Sequence, residues 1–311
     1  MEDVFPNLSQ VPEEIRTHLE KMIDWLRQAI VGRNELDRFR GAEHILKVCD
    51  SSGNLVCLFK AFNAGDENLA KNEACVYLLD HPENDHRSVS PKIYGFSRVR
   101  PTVFLRFRLG NEMKMGILIE YAESKGCARR SGLGIPVNEV HKILITDIRF
   151  GNSDRNVENV LVQESENGAI QLVPVDHEMC FGNEVQPYNI CSPCWLGWLK
   201  EEMNLNQVFS SESVSYVTGL DVEKDIEFVR RCGWEPGIEF SEKFKVFGTF
   251  LKKAVFQGLT GFHIGLIAAF KCENMNFNLQ SIIDDVARDD DFYDNVGIRL
   301  EEALKQYQEE V

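Results

Sequence analysis

The sequence predicts an α+β fold of two lobes, a strand-rich first lobe carrying one helix and a mainly helical second lobe. Short apolar runs at 45–49, 55–62, 99–109 and 113–119 are separated by polar or glycine-bearing turns, the pattern of strands joined by tight connections. One stretch between them, 67–80, spaces its apolar residues as a helix does. From Val140 onward helical spacing takes over, broken by one pair of short apolar runs around a polar turn.

Near the start, Ile15, Leu19, Met22, Ile23, Leu26 and Ile30 repeat at helical spacing, with Pro12 in the first turn and Gly32 beyond the end. A helix packed on the first lobe is expected. Residues 45–49 and 55–62 flank Asp50-Ser51-Ser52-Gly53-Asn54 as a hairpin. Alternation along its second strand sets Val56, Leu58 and Lys60 on one face. A lysine buried in so apolar a strand is costly unless it meets an anion. Glu73, on helix 67–80 with Leu69, Val76 and Tyr77, is the expected partner. The plainer alternative is a snorkelling edge lysine beside a surface glutamate. From 99 to 109 the apolar side chains share one face, while Arg98, Arg100, Arg106 and Arg108 fall on the other. In so acidic a chain these arginines read first as a solvated face paired to local acids, and second as a phosphate or lipid-headgroup patch.

Residues 140–150 read as a helix that Gly151-Asn152-Ser153 ends, exposing Asp154. Apolar runs at 160–162 and 170–175 form a hairpin with Asn159 at one end and Asp176 at the other, on the same side. An acid, an asparagine five residues later and a second acid just past a hairpin are the groups that phosphoryl transfer needs. Asp154 would orient or deprotonate the attacking hydroxyl, while Asn159 and Asp176 would hold Mg²⁺ (or Mn²⁺) on the phosphates of ATP. Lys60, steadied by Glu73, would contact those phosphates, and the backbone of Glu120-Tyr121-Ala122 would pair with adenine. The lid at 45–54 is poor in glycine, unlike a phosphate-cradling loop.

These blocks resemble the plant phosphatidylinositol 4-kinase gamma group, within the phosphatidylinositol 3- and 4-kinase superfamily. The resemblance rests on Phe59-Lys60, on Asn72-Glu73-Ala74 with Tyr77-Leu78-Leu79-Asp80-His81, and on Glu139-Val140-His141-Lys142-Ile143 with Asp147-Ile148-Arg149. It continues through Asn152-Ser153-Asp154-Arg155, Leu172-Val173-Pro174-Val175-Asp176-His177 and later segments, in matching order over roughly residues 40 to 285. It implies a bilobal protein-kinase-like fold with ATP and Mg²⁺ between the lobes, and the same roles for Lys60, Glu73, Asp154, Asn159 and Asp176. This chain departs from the family pattern twice: Asn156 stands where the family has histidine after Asp-Arg, and Glu178 where it has glycine after Asp-His. No counterpart of the ubiquitin-like repeats of some members is found, so no partner contact through them is expected.

Composition bounds the rest. With 49 acidic and 34 basic residues and a formal net charge of -15, the chain repels nucleic acid, so none is expected as a partner. The same charge opposes anionic lipid, and transient membrane contact would need the arginines at 98–108, with Arg129 and Arg130, to cluster. The first residues lack an apolar run, so no secretory leader is expected. Residues 259–270 are too few to span a bilayer. Nine scattered cysteines fit a reducing compartment, hence a cytoplasmic enzyme, peripheral to membranes if it acts on lipid. Cys191-Ser192-Pro193-Cys194 lacks the second ligand pair of a zinc site.

The domain reading is an N-terminal helical extension at 1–39, an N-lobe at 40–119, a C-lobe at 120–285, and an acidic linker with a C-terminal helix at 286–311. Within it the expected activity is ATP-dependent phosphorylation of phosphatidylinositol at the 4-position. The alternatives are a Ser/Thr protein kinase on the same fold, or a nucleotide-binding pseudokinase or scaffold motivated by Asn156 and Glu178.

Overall fold

The five strands of the first lobe form one antiparallel sheet whose closest internal approach depends on a glycine. The computed structural model describes residues 2–33, 35–81, 92–128, 134–181, 188, 190–191, 193–200, 204, 206–270 and 278–310. It comprises two compact units, each described by itself. The first holds Met1–Glu123, Asp176–Glu178 and Asp225–Glu235; the second holds Ser124–Val175, Met179–Lys224 and Pro236–Val311.

In the first unit, β1 (Glu2–Phe5) precedes α1 (Glu13–Ile30), β2 (Ile45–Cys49), β3 (Leu55–Ala61), α2 (Glu67–Leu79), β4 (Thr102–Leu109) and β5 (Glu112–Glu120). The sheet order is β1-β4-β5-β3-β2. Strand β1 is an element that periodicity does not show: its four residues include Glu2 and Asp3 and have no clean alternation. It is a strand because the edge of β4 offers it a ladder, with Val4 opposite Leu105 and Phe5 opposite Phe104. The α1 stripe Ile15, Leu19, Met22, Ile23 and Leu26 is buried, and α1 packs on β2, while α2 packs on β4 and β5. The β2–β3 turn is closed by Asp50, whose Oδ1 accepts from the amides of Ser52 and Asn54 at 2.9 Å each. An Asx turn therefore closes this loop on itself.

Strand β3 buries Cys57 and Phe59 fully and leaves Val56, Leu58 and Lys60 half-buried. Phe59 meets Phe107 edge-on at 4.9 Å. On the neighbouring strand Gly116 lies opposite Ala61, and a Cβ there would come within 2.1 Å of the Lys60 carbonyl oxygen. Only glycine lets β5 run this close to the strand that carries Lys60. Residues 225–235 join the unit through Asn7, whose amide donates to the Cys232 carbonyl at 2.7 Å, and through Phe5, which meets Trp234 at 5.9 Å.

Two arginines of this face are committed to acids. Arg100 reaches Glu120 at 3.4 Å and lies over the Tyr94 ring, and Arg106 pairs with Glu67 and, at 3.6 Å, with Asp3. For Arg100 and Arg106 the local-acid reading is the one observed. Arg129 and Arg130 lie outside the described residues.

The second unit is built around α3 (Val137–Phe150), in which every residue from Glu139 to Phe150 is buried. A helix buried on all sides is a central helix. Strands β6 (Val160–Glu164) and β7 (Ile170–Pro174) form the expected hairpin, and β8 (Ile190–Cys191) pairs in parallel with a later strand. Helices α4 (Cys194–Leu199) and α5 (Ser211–Thr218) follow, and α6 (Val222–Arg231) begins in this unit. Then come α7 (Ile238–Phe256), α8 (Gly261–Ala268), β9 (Ala269–Phe270), which is the partner of β8, α9 (Leu279–Asp284) and α10 (Phe292–Glu310). β7, α4, α5, α7 and α8 all pack on α3, and α10 packs on α7. Phe181 joins α3 to α7, with its ring centroid 5.6 Å from that of Phe150 and 4.1 Å from that of Phe240. Among the described residues no helix is long and apolar enough to cross a membrane. The mixed α+β class and the division into a sheet-bearing part and a helical part match the sequence expectation.

Candidate active site

Lys60 is the centre of a cluster that lies wholly within the first unit. Its ammonium stands 2.6 Å from Asp176 Oδ1, 2.8 Å from Glu178 Oε2 and 3.6 Å from Glu73 Oε1. Glu73 is buried on α2, and its other oxygen lies 3.3 Å from His177 Nδ1. Asn72, one residue earlier on the same helix, donates its side-chain amide to the Glu178 carbonyl at 3.1 Å. One turn of α2 thus fixes the segment 176–178 by its backbone and by its histidine. Burial pushes the Lys60 pKa down, but the facing charges of Glu73 and Asp176 overcome this, and it lies above the ordinary lysine value. Burial would raise the Glu73 carboxyl, yet the hydrogen bond and charge of His177, with the charge of Lys60, hold it below the usual carboxylate range. The lysine is therefore a fixed cation and Glu73 a fixed anion at neutral pH. Asp176 has φ 63°, in the left-handed region that few residues other than glycine enter and that aspartate tolerates. Glu73, Asp176 and Glu178 also offer carboxylate oxygens within 4.8 Å of one another.

The segment expected to meet adenine ends β5. The amide of Glu120 donates to the Pro101 carbonyl and that of Tyr121 to the Val56 carbonyl, each at 2.9 Å. These two donors are spent on the protein, which leaves carbonyls and the Ala122 amide for a purine edge. The Glu120 carboxylate is occupied too, accepting from the Tyr94 hydroxyl at 2.8 Å and lying 3.2 Å from His18 Nε2. It is structural, and any base contact here is made by main chain.

The second unit holds the remaining expected site residues. Helix α3 stops at Gly151, which has φ 58° and where a Cβ would meet the Phe247 ring at 2.6 Å. Asn152 then turns the chain: its Oδ1 accepts from the Asp154 amide at 2.9 Å, and its Nδ2 donates to Asp147 Oδ1 at 3.2 Å. Asp154 is left exposed, open to a substrate approaching from solvent. Asn159 Nδ2 donates to the Asp154 carbonyl at 3.1 Å. With its nitrogen committed, the amide offers Oδ1, a hard oxygen suited to Mg²⁺ or Mn²⁺, as is the part-exposed Asp176 carboxylate of the first unit. These donors fit the cation that such chemistry uses. Asn156 caps the short turn that follows, its Oδ1 accepting from the Glu158 amide at 2.9 Å and the Asn159 amide at 3.2 Å. Its oxygen is engaged in holding Asn159 in place.

Three contributors were not legible in the sequence as site residues. The sequence shows His177 and Arg155 only as motif residues and Glu178 only as a departure from the family pattern. The Arg155 guanidinium is buried and donates to the carbonyls of Asn159 at 2.6 Å and Val175 at 2.7 Å, tying together both ends of the β6–β7 hairpin. Of the tested zinc motif, Ser192 and the Cys191 side chain lie outside the described residues. Burial, with the charge of Asp147, pushes the Cys194 thiol up to about 12, the opposite of what a thiolate ligand needs.

Comparison with known proteins agrees with this chemistry. Residues 67–264 match the family profile described as "Phosphatidylinositol 3- and 4-kinase". Among curated proteins, phosphatidylinositol 4-kinase gamma 4 of Arabidopsis thaliana is 34% identical over 64% of this chain and 35% of its own length. Phosphatidylinositol 4-kinase gamma 2 of the same plant is 32% identical over 69% of this chain and 40% of its own. Phosphatidylinositol 4-kinase gamma 3 is 30% identical over 76% and 44%. The chain thus spans less than half the length of these relatives. The profile match covers most of the chain, from the helix of Glu73 past the Asp154 loop and Asp176: the chain belongs to the phosphatidylinositol 3- and 4-kinase family.

Proposed function

We propose that the chain is an ATP- and divalent-cation-dependent phosphotransferase whose acceptor is the inositol ring of phosphatidylinositol, at the 4-position. The observation that carries this reading is the Lys60 ammonium held 2.6 Å from Asp176 and 3.6 Å from Glu73. A fixed cation beside a carboxylate that can ligate a metal is the arrangement that grips nucleotide phosphates. The names of the relatives supply the lipid and the ring position.

In this reading Lys60 holds phosphate oxygens, and the half-buried apolar pair Val56 and Leu58, on the same strand face, covers the adenine beside the main chain at 120–122. Asp154 takes the proton of the acceptor hydroxyl as its oxygen attacks the terminal phosphorus and ADP leaves. Asn159 Oδ1 and the Asp176 carboxylate are the donors that would hold Mg²⁺ or Mn²⁺, which would supply charge neutralisation. His177 and Glu73 keep the lysine in place. In this reading the domains are an N-terminal helical extension at 1–39, the N-lobe at 40–119, the C-lobe at 120–285 and an acidic linker with a C-terminal helix at 286–311. The cysteines whose side chains are described are free thiols, which supports a cytoplasmic location; transient contact at the lipid surface follows from the proposed acceptor.

The acceptor is tested by offering phosphatidylinositol vesicles and a mixed protein substrate side by side, with terminal-phosphate-labelled ATP and Mg²⁺. Label in the lipid supports the proposal; label confined to protein replaces the acceptor. A second reading, a nucleotide-binding scaffold, draws on Glu178, whose carboxylate is already 2.8 Å from the lysine.

A further inference from the structure

Lys60 has more carboxylates than it can neutralise. Asp176 and Glu178 contact it at 2.6 and 2.8 Å, and Glu73 stands at 3.6 Å, so one positive charge faces three negative ones. Glu73 and Asp176 have other reasons to be present: Glu73 is buried and joined to His177, and Asp176 is a metal donor in the proposed reaction. Glu178 has neither. Its side chain is about a third exposed, and it spends its carboxylate on the ammonium that would otherwise meet phosphate. Its backbone position is anchored separately, because Asn72 donates to the Glu178 carbonyl from α2 at 3.1 Å. The main chain therefore holds Glu178 close to Lys60, and the ion pair sets the direction of its carboxylate.

We infer that Glu178 is a specificity-determining carboxylate that occupies Lys60 in the nucleotide-free protein and competes with phosphate for it, so that nucleotide binds only when a divalent cation accompanies it. This deepens the phosphotransferase reading and rests on it. Bare ATP must displace one carboxylate from the lysine and then lie against all three, a like-charge encounter that costs affinity. A divalent cation reverses the balance, since hard carboxylate oxygens are what it prefers, and phosphate then reaches a freed ammonium. No single group acts as a lid. The selectivity lies in the excess of negative charge at one cation.

The test is equilibrium binding of ATP to the full chain, by calorimetry, in EDTA and in Mg²⁺, for the wild type, Glu178→Gln and Glu178→Asp. Gln keeps the shape and removes the charge; Asp keeps the charge. The expected result is that the wild type and Glu178→Asp bind ATP with Mg²⁺ and at least roughly tenfold more weakly without it. Glu178→Gln is expected to bind metal-free ATP at least roughly tenfold more tightly than the wild type does. Equal metal-free binding by the wild type and Glu178→Gln, with Mg-ATP binding intact, overturns this inference and leaves the phosphotransferase reading standing. Loss of metal-free binding in Glu178→Asp but not in Glu178→Gln supports it, because a merely structural role would not separate the two. Absence of nucleotide binding in all three chains under both conditions overturns the phosphotransferase reading and this inference with it.

Discussion

The Nε–H of Arg155 is shared between the two carboxylate oxygens of Asp147, 3.0 Å from each, and both side chains are fully buried. Asp147 also accepts from Trp195 Nε1 at 2.9 Å and from Asn152 Nδ2 at 3.2 Å. One carboxylate in the last turn of α3 thereby organises α4, the loop that presents Asp154, and the hairpin ends that Arg155 holds.

Breaking this pair leaves a buried, uncompensated charge, which costs about 3–5 kcal/mol. Arg155→Met is expected to destabilise the chain by that amount, and Arg155→Lys by a substantial part of it, because an ammonium cannot reach Asp147 and two carbonyls in one plane. Urea unfolding at pH 7 measures both. A loss below about 1 kcal/mol in Arg155→Met would show that the pair is not an organising contact.

Glycine at 116 is required by contact rather than by φ. Gly116→Ala places a methyl 2.1 Å from the Lys60 carbonyl oxygen, so β3 and β5 must part. The expected cost is about 3 kcal/mol, at the upper end of overpacking. Mg-ATP affinity is expected to fall as well, because the strand that moves carries Lys60. Unfolding and nucleotide titration of the same variant check the two effects. Loss of stability with unchanged affinity would separate the strand contact from the lysine.

The buried His141 makes stability depend on pH. Neither ring nitrogen has a hydrogen-bond partner among the described residues, the ring lies 4.5 Å from Phe209, and burial lowers its pKa to about 4 from 6.5. The unfolded chain takes up the proton first as pH falls, so stability from this group is full above 6.5 and is lost between 6.5 and about 4. Roughly 2 kcal/mol is expected to go between about pH 7 and about pH 5. His141→Phe is expected to remove that share of the slope. An unchanged slope in the variant, read from urea unfolding at the two pH values, would contradict the assignment.

Lys60→Met is expected to abolish transfer, at least about a hundredfold, while leaving Glu73, Asp176 and Glu178 facing one another. Thermal unfolding should show a loss that Mg²⁺ partly restores, since a cation replaces the ammonium among the carboxylates. A variant as stable as the wild type and insensitive to Mg²⁺ would argue against the cluster.

Much of the candidate site was legible because its parts are chemically conspicuous. Lys60 is the lone cation in an apolar strand, and the hairpin at 160–174 follows a glycine stop and a polar loop. What β3 did not disclose was its core face. Leu55 to Phe59 are all apolar or Cys, and only packing in the sheet shows that Cys57 and Phe59 face inward. The contact of Glu178 was hidden for a different reason. Two residues past Asp176, its direction depends on a backbone turn with φ 63° and on Asn72, more than a hundred residues earlier. Arg155 was hidden because a loop arginine is ordinarily solvated, and its burial depends on a carboxylate one helix end away.

The central claim is phosphoryl transfer by the Lys60 and Asp176 site. The most direct measurement is a single-turnover assay of label passing from ATP to phosphatidylinositol vesicles with Mg²⁺, comparing the wild-type chain with Asp176→Ala. The expected result is label in the lipid with the wild type and a loss of at least about a hundredfold in the variant. Equal labelling by the two chains, or none by a wild type that demonstrably binds Mg-ATP, would contradict it.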